Sequence, residues 1–242
     1  METSSMTFRT LPIRAAAVAA GLAVATPALA QNASFFVVHG IPGRDVAATA
    51  DPLLPVDVLV AGKYCLLAGF TFGSVAGPFD VPAGSYSVAI SLANPIAPCT
   101  NTAVITATAT LTAGEFGSIV AAESTSGAPT AEIYPVDVTS IAAGKQRIIT
   151  SHAADAPEVK VTAIGSNPKE KAEFKLQPGK QNESTVDTAQ KFSISATPVG
   201  AKGTIGPITV EAGDRSDILV WAVGNAANGS VTLLSKVLPD VY

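Results

Sequence analysis

Two histidines, a few scattered aspartates and two cysteines are the residues of this chain whose types could do chemistry. His39 and His152 are the only imidazoles, and a shared metal site or a general-base pair is the chemistry they could supply. A metal would need further ligands at short spacing in the same domain, and the sequence offers none beside either histidine. Asp45, Asp51, Asp57 and Asp80 are spread out, without the dense alternating acids of a calcium loop. Asp57 falls in an alternating segment and is expected to face solvent. Gly-x-Ser-x-Gly, HExxH, a P-loop and a dinucleotide fingerprint are all missing from the sequence. The expectation is a chain that is not an enzyme and that uses no cofactor and no metal.

Cys65 and Cys99 are the only cysteines. In an oxidising compartment they most simply form a disulfide, with a metal site or a reactive thiol as the alternatives. Such a bridge contributes roughly 3–4 kcal/mol in the chain-entropy picture. The compartment follows from the N-terminus. Arg9 and Arg14 precede an apolar stretch from Ala15 to Val24, Pro27 breaks it, and Ala28-Leu29-Ala30 offers small residues where a signal peptidase reads. Ala28 and Ala30 are the expected cleavage signal, leaving Gln31 first, with translation starting at Met1 or Met6. About ten apolar residues are too few for a bilayer core of about 30 Å, and no later segment is long and apolar enough. The expected address is bacterial periplasm or secretion.

The elements that must position these residues read as strands. Ser34 to His39, Val56 to Val60, Lys63 to Leu67, Ser85 to Ser91, Thr102 to Leu111 and Phe116 to Ala122 are short apolar or alternating runs punctuated by Gly and Pro. No convincing helical period interrupts them. The second half repeats the plan. Arg147 to His152 matches Phe35 to His39, each ending in His. Pro157 to Val161 matches Pro55 to Leu59, and Lys191 to Ser195 matches Ser85 to Ala89. Ile208 to Asp214 matches Ala109 to Glu115. Conserved order and spacing indicate a duplication. The expected fold class is all-β: a signal peptide over residues 1–30, then two tandem immunoglobulin-like β-sandwiches over residues 31–142 and 143–242. Ile141 to Gly144 is the expected linker. Because the two histidines fall at equivalent repeat positions, each is expected to fix the loop after its own first strand.

The chain resembles the DUF4397 domain, a bacterial extracytoplasmic module often present in tandem. The resemblance rests on His152-Ala153-Ala154-Asp155-Ala156-Pro157 before an alternating strand, on Phe72-Gly73-Ser74-Val75, on Val81-Pro82-Ala83-Gly84-Ser85-Tyr86 and on Thr112-Ala113-Gly114-Glu115. Ala142-Ala143-Gly144-Lys145 is similar to the family's inter-copy linker. The first copy replaces the His-Ala-x-Asp-Ala-Pro loop with His39 to Gly43 plus an insertion through Pro55. The second lacks the Val-Pro-Ala-Gly turn and has a polar stretch, Pro178 to Thr188, in that region. The resemblance implies a fold and a location, not an activity.

A formal net charge of -4, with only 14% charged residues, leaves no basic stripe for nucleic acid. Lys169, Glu170, Lys171, Glu173 and Lys175 read as a solvated face. Tyr64, Phe70, Phe72, Phe79, Phe116 and Trp221 read as packing residues. Three functions compete. The first is an envelope or secreted module binding a protein or surface polymer. The second is a periplasmic assembly chaperone donating a strand, and the third is a hydrolase or metal-handling protein on the same scaffold.

Overall fold

The computed structural model describes residues 32–124, 127–167 and 170–239. The expected signal segment, with Ala28 and Ala30, lies outside these residues, as does Lys169. The first half forms β1 (Asn32–His39), β2 (Val56–Val60), β3 (Tyr64–Phe70), β4 (Val75–Pro82), β5 (Gly84–Leu92), β6 (Ile105–Leu111), β7 (Phe116–Glu123) and β8 (Pro129–Val136). A four-residue helix, α1 (Gly43–Val46), sits in the insertion after β1. The second half forms β9 (Lys145–His152), β10 (Val159–Gly165), β11 (Lys171–Leu176), β12 (Gln181–Asp187), β13 (Lys191–Pro198), β14 (Ile205–Glu211), β15 (Asp217–Val223) and β16 (Thr232–Leu238).

The chain is all-β, two sandwiches in tandem with one plan. Sheets β4-β1-β7-β8 and β3-β2-β5-β6 make the first sandwich, and β12-β9-β15-β16 and β11-β10-β13-β14 make the second. In both, the first strand runs parallel to the seventh: β1 beside β7 and β9 beside β15. The repeat is therefore one of pairing as well as of pattern.

Period-2 alternation explains how the sheets stack. Phe35 and Val37 point into the core of the first sandwich, whereas Phe36 and Val38 point the other way. Ile218, Val220 and Ala222 fill the second sandwich, whereas Leu219, Trp221 and Val223 leave it on the opposite face. Those outward sets meet each other. Phe36, Val38, Phe116 and Val120 from the first sandwich pack with Ile149, Leu219, Trp221 and Val223 from the second. The inner sheets are thus apolar on both faces, and every residue of β7 and β15 is buried. Four layers result, with two outer sheets left toward solvent.

The junction is close. Trp221 is 1% exposed, its Nε1 donates to Ser118 Oγ at 2.9 Å, and its ring meets Phe36 edge-on at 6.1 Å. Gly40 N donates to Ala121 O, and Gly224 N donates to Gly40 O at 3.0 Å. A Cβ at Gly40 would come within 2.7 Å of Ala121 O and 2.9 Å of Val223 Cγ1. Only glycine permits that approach. The insertion adds a latch: Asp45 accepts from Asn228 Nδ2 (2.7 Å) and Ser230 Oγ (2.8 Å) of the β15–β16 loop.

Candidate functional site

Both histidines are buried at the end of a first strand. His39 Nε2 donates to Leu54 O at 2.9 Å, and its Nδ1 accepts from Ile41 N at 3.3 Å. His152 Nε2 donates to Pro157 O at 3.0 Å. A carbonyl partner fixes the tautomer, so Nε2 carries the proton. Burial holds both imidazoles below their ordinary pKa, against the opposing pull of those carbonyl bonds. Among the described residues, no group of three His, Cys, Asp or Glu side chains is placed to hold a metal ion.

These two bonds also correct the repeat register. Leu54 stands where Pro157 stands, so buried Val56 and Val58 match buried Val159 and Val161. The match is one residue away from the alignment of the two prolines, and Asp57 corresponds to Lys160.

Asp57 departs from its expected solvent exposure. It is 1% exposed. Its position does face outward, but the β5–β6 loop folds over it. Gly69 N (2.9 Å), Asn94 N (3.0 Å) and Cys99 N (2.8 Å) all donate to its carboxylate. Burial pushes this carboxyl up, and the bonds from Cys99, Asn94 and Gly69 together outweigh burial and hold it below the usual range. The same loop is tied to β3 by the Cys65–Cys99 disulfide, whose Cα atoms are 5.7 Å apart. Tyr64 is likewise not a packing residue. The residue is 60% exposed, with Lys63 Nζ 4.6 Å from the ring centroid.

The second sandwich buries charge elsewhere. Arg147 and Asp217 face each other across the parallel β9–β15 pair. Arg147 Nε donates to Asp217 Oδ1 (2.6 Å) and its Nη2 to Asp217 Oδ2 (3.1 Å), a two-pronged pairing. Nη2 also donates to Thr139 O (3.1 Å), which ties down the segment between the sandwiches.

Between the sandwiches lies a cavity of about 190 Å³, lined by Glu123, Ser124, Glu132, His152, Ala154, Pro178 and Gly179. Glu123 ends β7 and accepts from Asn225 Nδ2 at 2.8 Å. The same amide reaches Asp155 Oδ2 at 3.3 Å. Burial pushes the Glu123 carboxyl up, the Asn225 bond pulls it down, and nearby Asp45 and Asp155 push it up again. Glu132 on β8 accepts from the Tyr134 hydroxyl, whose oxygen also lies 3.2 Å from His152 O. Burial and the Glu132 carboxylate hold that phenol protonated. Sequence reasoning missed this cluster, since Glu123 and Glu132 read as ordinary strand-end charges and converge only through the fold. Asn225 and Asp155 also form a parallel bridge.

The chain is a tandem all-β protein whose two inner sheets pack face to face. It matches the family described as a domain of unknown function, DUF4397, over residues 33–162, and it belongs to that family. The match spans the first sandwich and runs through β9 into β10 of the second. No curated protein matches the chain. Among solved structures it is similar to the Bacillus anthracis TIE protein (12% identity, TM-score 0.25, covering 85% of this chain and 34% of that longer one). It is also similar to a candidate cell adhesion protein from Bacteroides ovatus (8% identity, TM-score 0.27, 86% and 98% covered). A candidate adhesin from Bacteroides ovatus matches with 11% identity and a TM-score of 0.18, over 87% and 94% of the two chains. Likeness at this level carries no functional argument. No helix among the described residues is long and apolar enough to cross a membrane.

Proposed function

We propose that this chain is an exported, non-enzymatic binding module of the cell envelope, holding a protein or a surface polymer. The observation that carries this reading is the stacking of the inner sheets. With β7 and β15 wholly buried, the surface left for a partner is the two outer sheets and the loops at their ends. Both histidines are engaged by backbone carbonyls, which supports a structural part for each. Export is supported by the N-terminal pattern and by the Cys65–Cys99 bridge. An assembly chaperone would hold a client's terminal carboxylate with basic residues between its domains. Here the cavity at that place presents Glu123, Glu132 and His152, so the binding-module reading is preferred.

Two measurements test it. Mass spectrometry of the chain recovered from the periplasm or medium should find Gln31 at the N-terminus. Recovery from the cytosol with the leader intact would contradict export. Labelled full chain should bind isolated envelopes saturably, and periodate or protease treatment of those envelopes distinguishes a polymer from a protein partner. Turnover of common periplasmic substrates by the purified chain would contradict the non-enzymatic part.

A further inference from the structure

Strand β6 leaves one side of its backbone without a strand partner. Among the described residues it ends the outer sheet of the first sandwich, in the order β3-β2-β5-β6. Strand β8 of the inner sheet lies beside it but does not pair with it. Ala61 N donates to Ser87 O, so Ser87 turns its backbone polar groups toward β2. Thr108 faces Ser87 across the β5–β6 ladder, and an antiparallel ladder alternates bonded and non-bonded pairs. The N–H and C=O groups of Thr106, Thr108 and Thr110 therefore point to the open edge. All three residues are exposed, and the β5–β6 register runs without a shift from Gly84 to Ile90.

The other sheet edges carry the devices that keep an open strand from pairing with another chain. Pro78 and Pro82 interrupt β4, and Pro129 and Pro135 interrupt β8. Strand β14, which ends the outer sheet of the second sandwich, carries Pro207 and Glu211. Charged residues stand on β11, β12 and β16, and two register shifts break β3. Strand β6 has none of these. Ile105-Thr106-Ala107-Thr108-Ala109-Thr110-Leu111 holds no charge, proline or glycine, and neighbouring β5 is uncharged as well. The segment also reads almost identically in both directions from Thr108. Antiparallel pairing with a second copy, across a two-fold axis at Thr108, sets Thr108 against itself. It also sets Thr106 against Thr110, Ala107 against Ala109 and Ile105 against Leu111. Threonine pairs across strands are favourable, and these are the positions whose backbone groups are free to exchange both bonds. No like charges meet, so the edge is complementary to itself.

We infer that β6 is an interface between two copies of this chain, joining their outer sheets into one continuous sheet about a two-fold axis at Thr108. Such a contact closes on itself, and the broken register of β3 at the far ends stops the assembly at the dimer. This goes beyond the binding-module reading and does not depend on it. The experiment is sedimentation velocity of the full chain over a wide range of concentration, beside Thr108→Lys, Thr108→Glu and Thr108→Pro. Residue 108 is exposed and its N–H points outward, so all three variants should keep the fold, with Trp221 emission unchanged. A monomer–dimer equilibrium is expected for the unaltered chain. Each substitution should raise its dissociation constant about tenfold or more, by setting like charges opposite each other or by removing the edge N–H. Because residue 108 faces its own copy, an equimolar mixture of the Thr108→Lys and Thr108→Glu chains should dimerise where neither does so singly. A chain that stays monomeric throughout, a dimer that the substitutions leave unchanged, assemblies larger than a dimer, or a mixture no tighter than its components overturns the inference.

Discussion

Strand β2 of the first sandwich and strand β10 of the second occupy the same place in their outer sheets, yet they treat charge in opposite ways. Asp57 is sealed beneath the loop of residues 93–104 and held by three backbone N–H groups. Lys160, its equivalent, stays in solvent and pairs with Glu173 at 2.5 Å. The second sandwich has only residues 199–204 between the corresponding strands, too few to reach back over the sheet. On the inner sheets the contrast reverses. Ser34 faces Phe116 in the first sandwich where Arg147 faces Asp217 in the second. A duplicated framework sets which positions face outward. Loop length and local partners then decide whether an outward position is wet or buried.

The contrast can be broken at its strongest point first. Asp217→Ala removes the two-pronged partner of the Arg147 guanidinium, whose side chain is 6% exposed, and leaves it only the longer ion pairs with Asp137 at 3.4 Å and Glu183 at 3.6 Å. Urea unfolding should show a loss of about 3–5 kcal/mol, with most of it recovered when Arg147→Leu is combined with Asp217→Leu. Asp57→Ala comes next, costing about 2–3 kcal/mol because three backbone donors lose a charged acceptor. Its effect should be less than additive with reduction of the Cys65–Cys99 bridge, since both hold one loop.

The equivalent histidines should titrate alike. Both imidazoles are held below the ordinary value of about 6.5, so the unfolded chain takes up protons first and stability falls as pH drops below about 6.5. Glu123 works the other way, because its raised carboxyl gains a proton earlier in the folded chain. The urea midpoint should decline between about pH 7 and 5.5, and His152→Gln should flatten that slope. Smallest of all, Lys160→Ala should leave the midpoint unchanged, because exposed ion pairs contribute little.

Much of the fold is legible in the residues, and the illegible part has a pattern. Strands buried on at least one face, such as β1, β5, β7 and β15, announce themselves through alternation or apolar runs. Strands β4, β8, β12 and β16 do not, and all four are sheet edges. Pro78 and Pro82 sit in β4, and Pro129 and Pro135 in β8, as edges tolerate. The polar stretch after Pro178 is strand β12, paired with β9 and burying only Val186. The site was less legible still. Asp57 alternates like any solvent-facing residue, and only the fold of residues 93–104 seals it. A charge heading an apolar strand, as Arg147 and Asp217 both do, is a sequence signal that would have found their pair.

Two sandwiches packed on one apolar seam should unfold as one body. Trp221 is the only indole of the chain and sits in that seam, so its fluorescence reports the seam alone. Equilibrium urea unfolding of the full chain, followed at once by Trp221 emission and by far-ultraviolet circular dichroism, is the direct measurement. Blue-shifted native emission and coincident transitions are predicted. Solvent-like emission in the native chain, or a Trp221 transition at lower urea than the loss of strand signal, would contradict the shared seam.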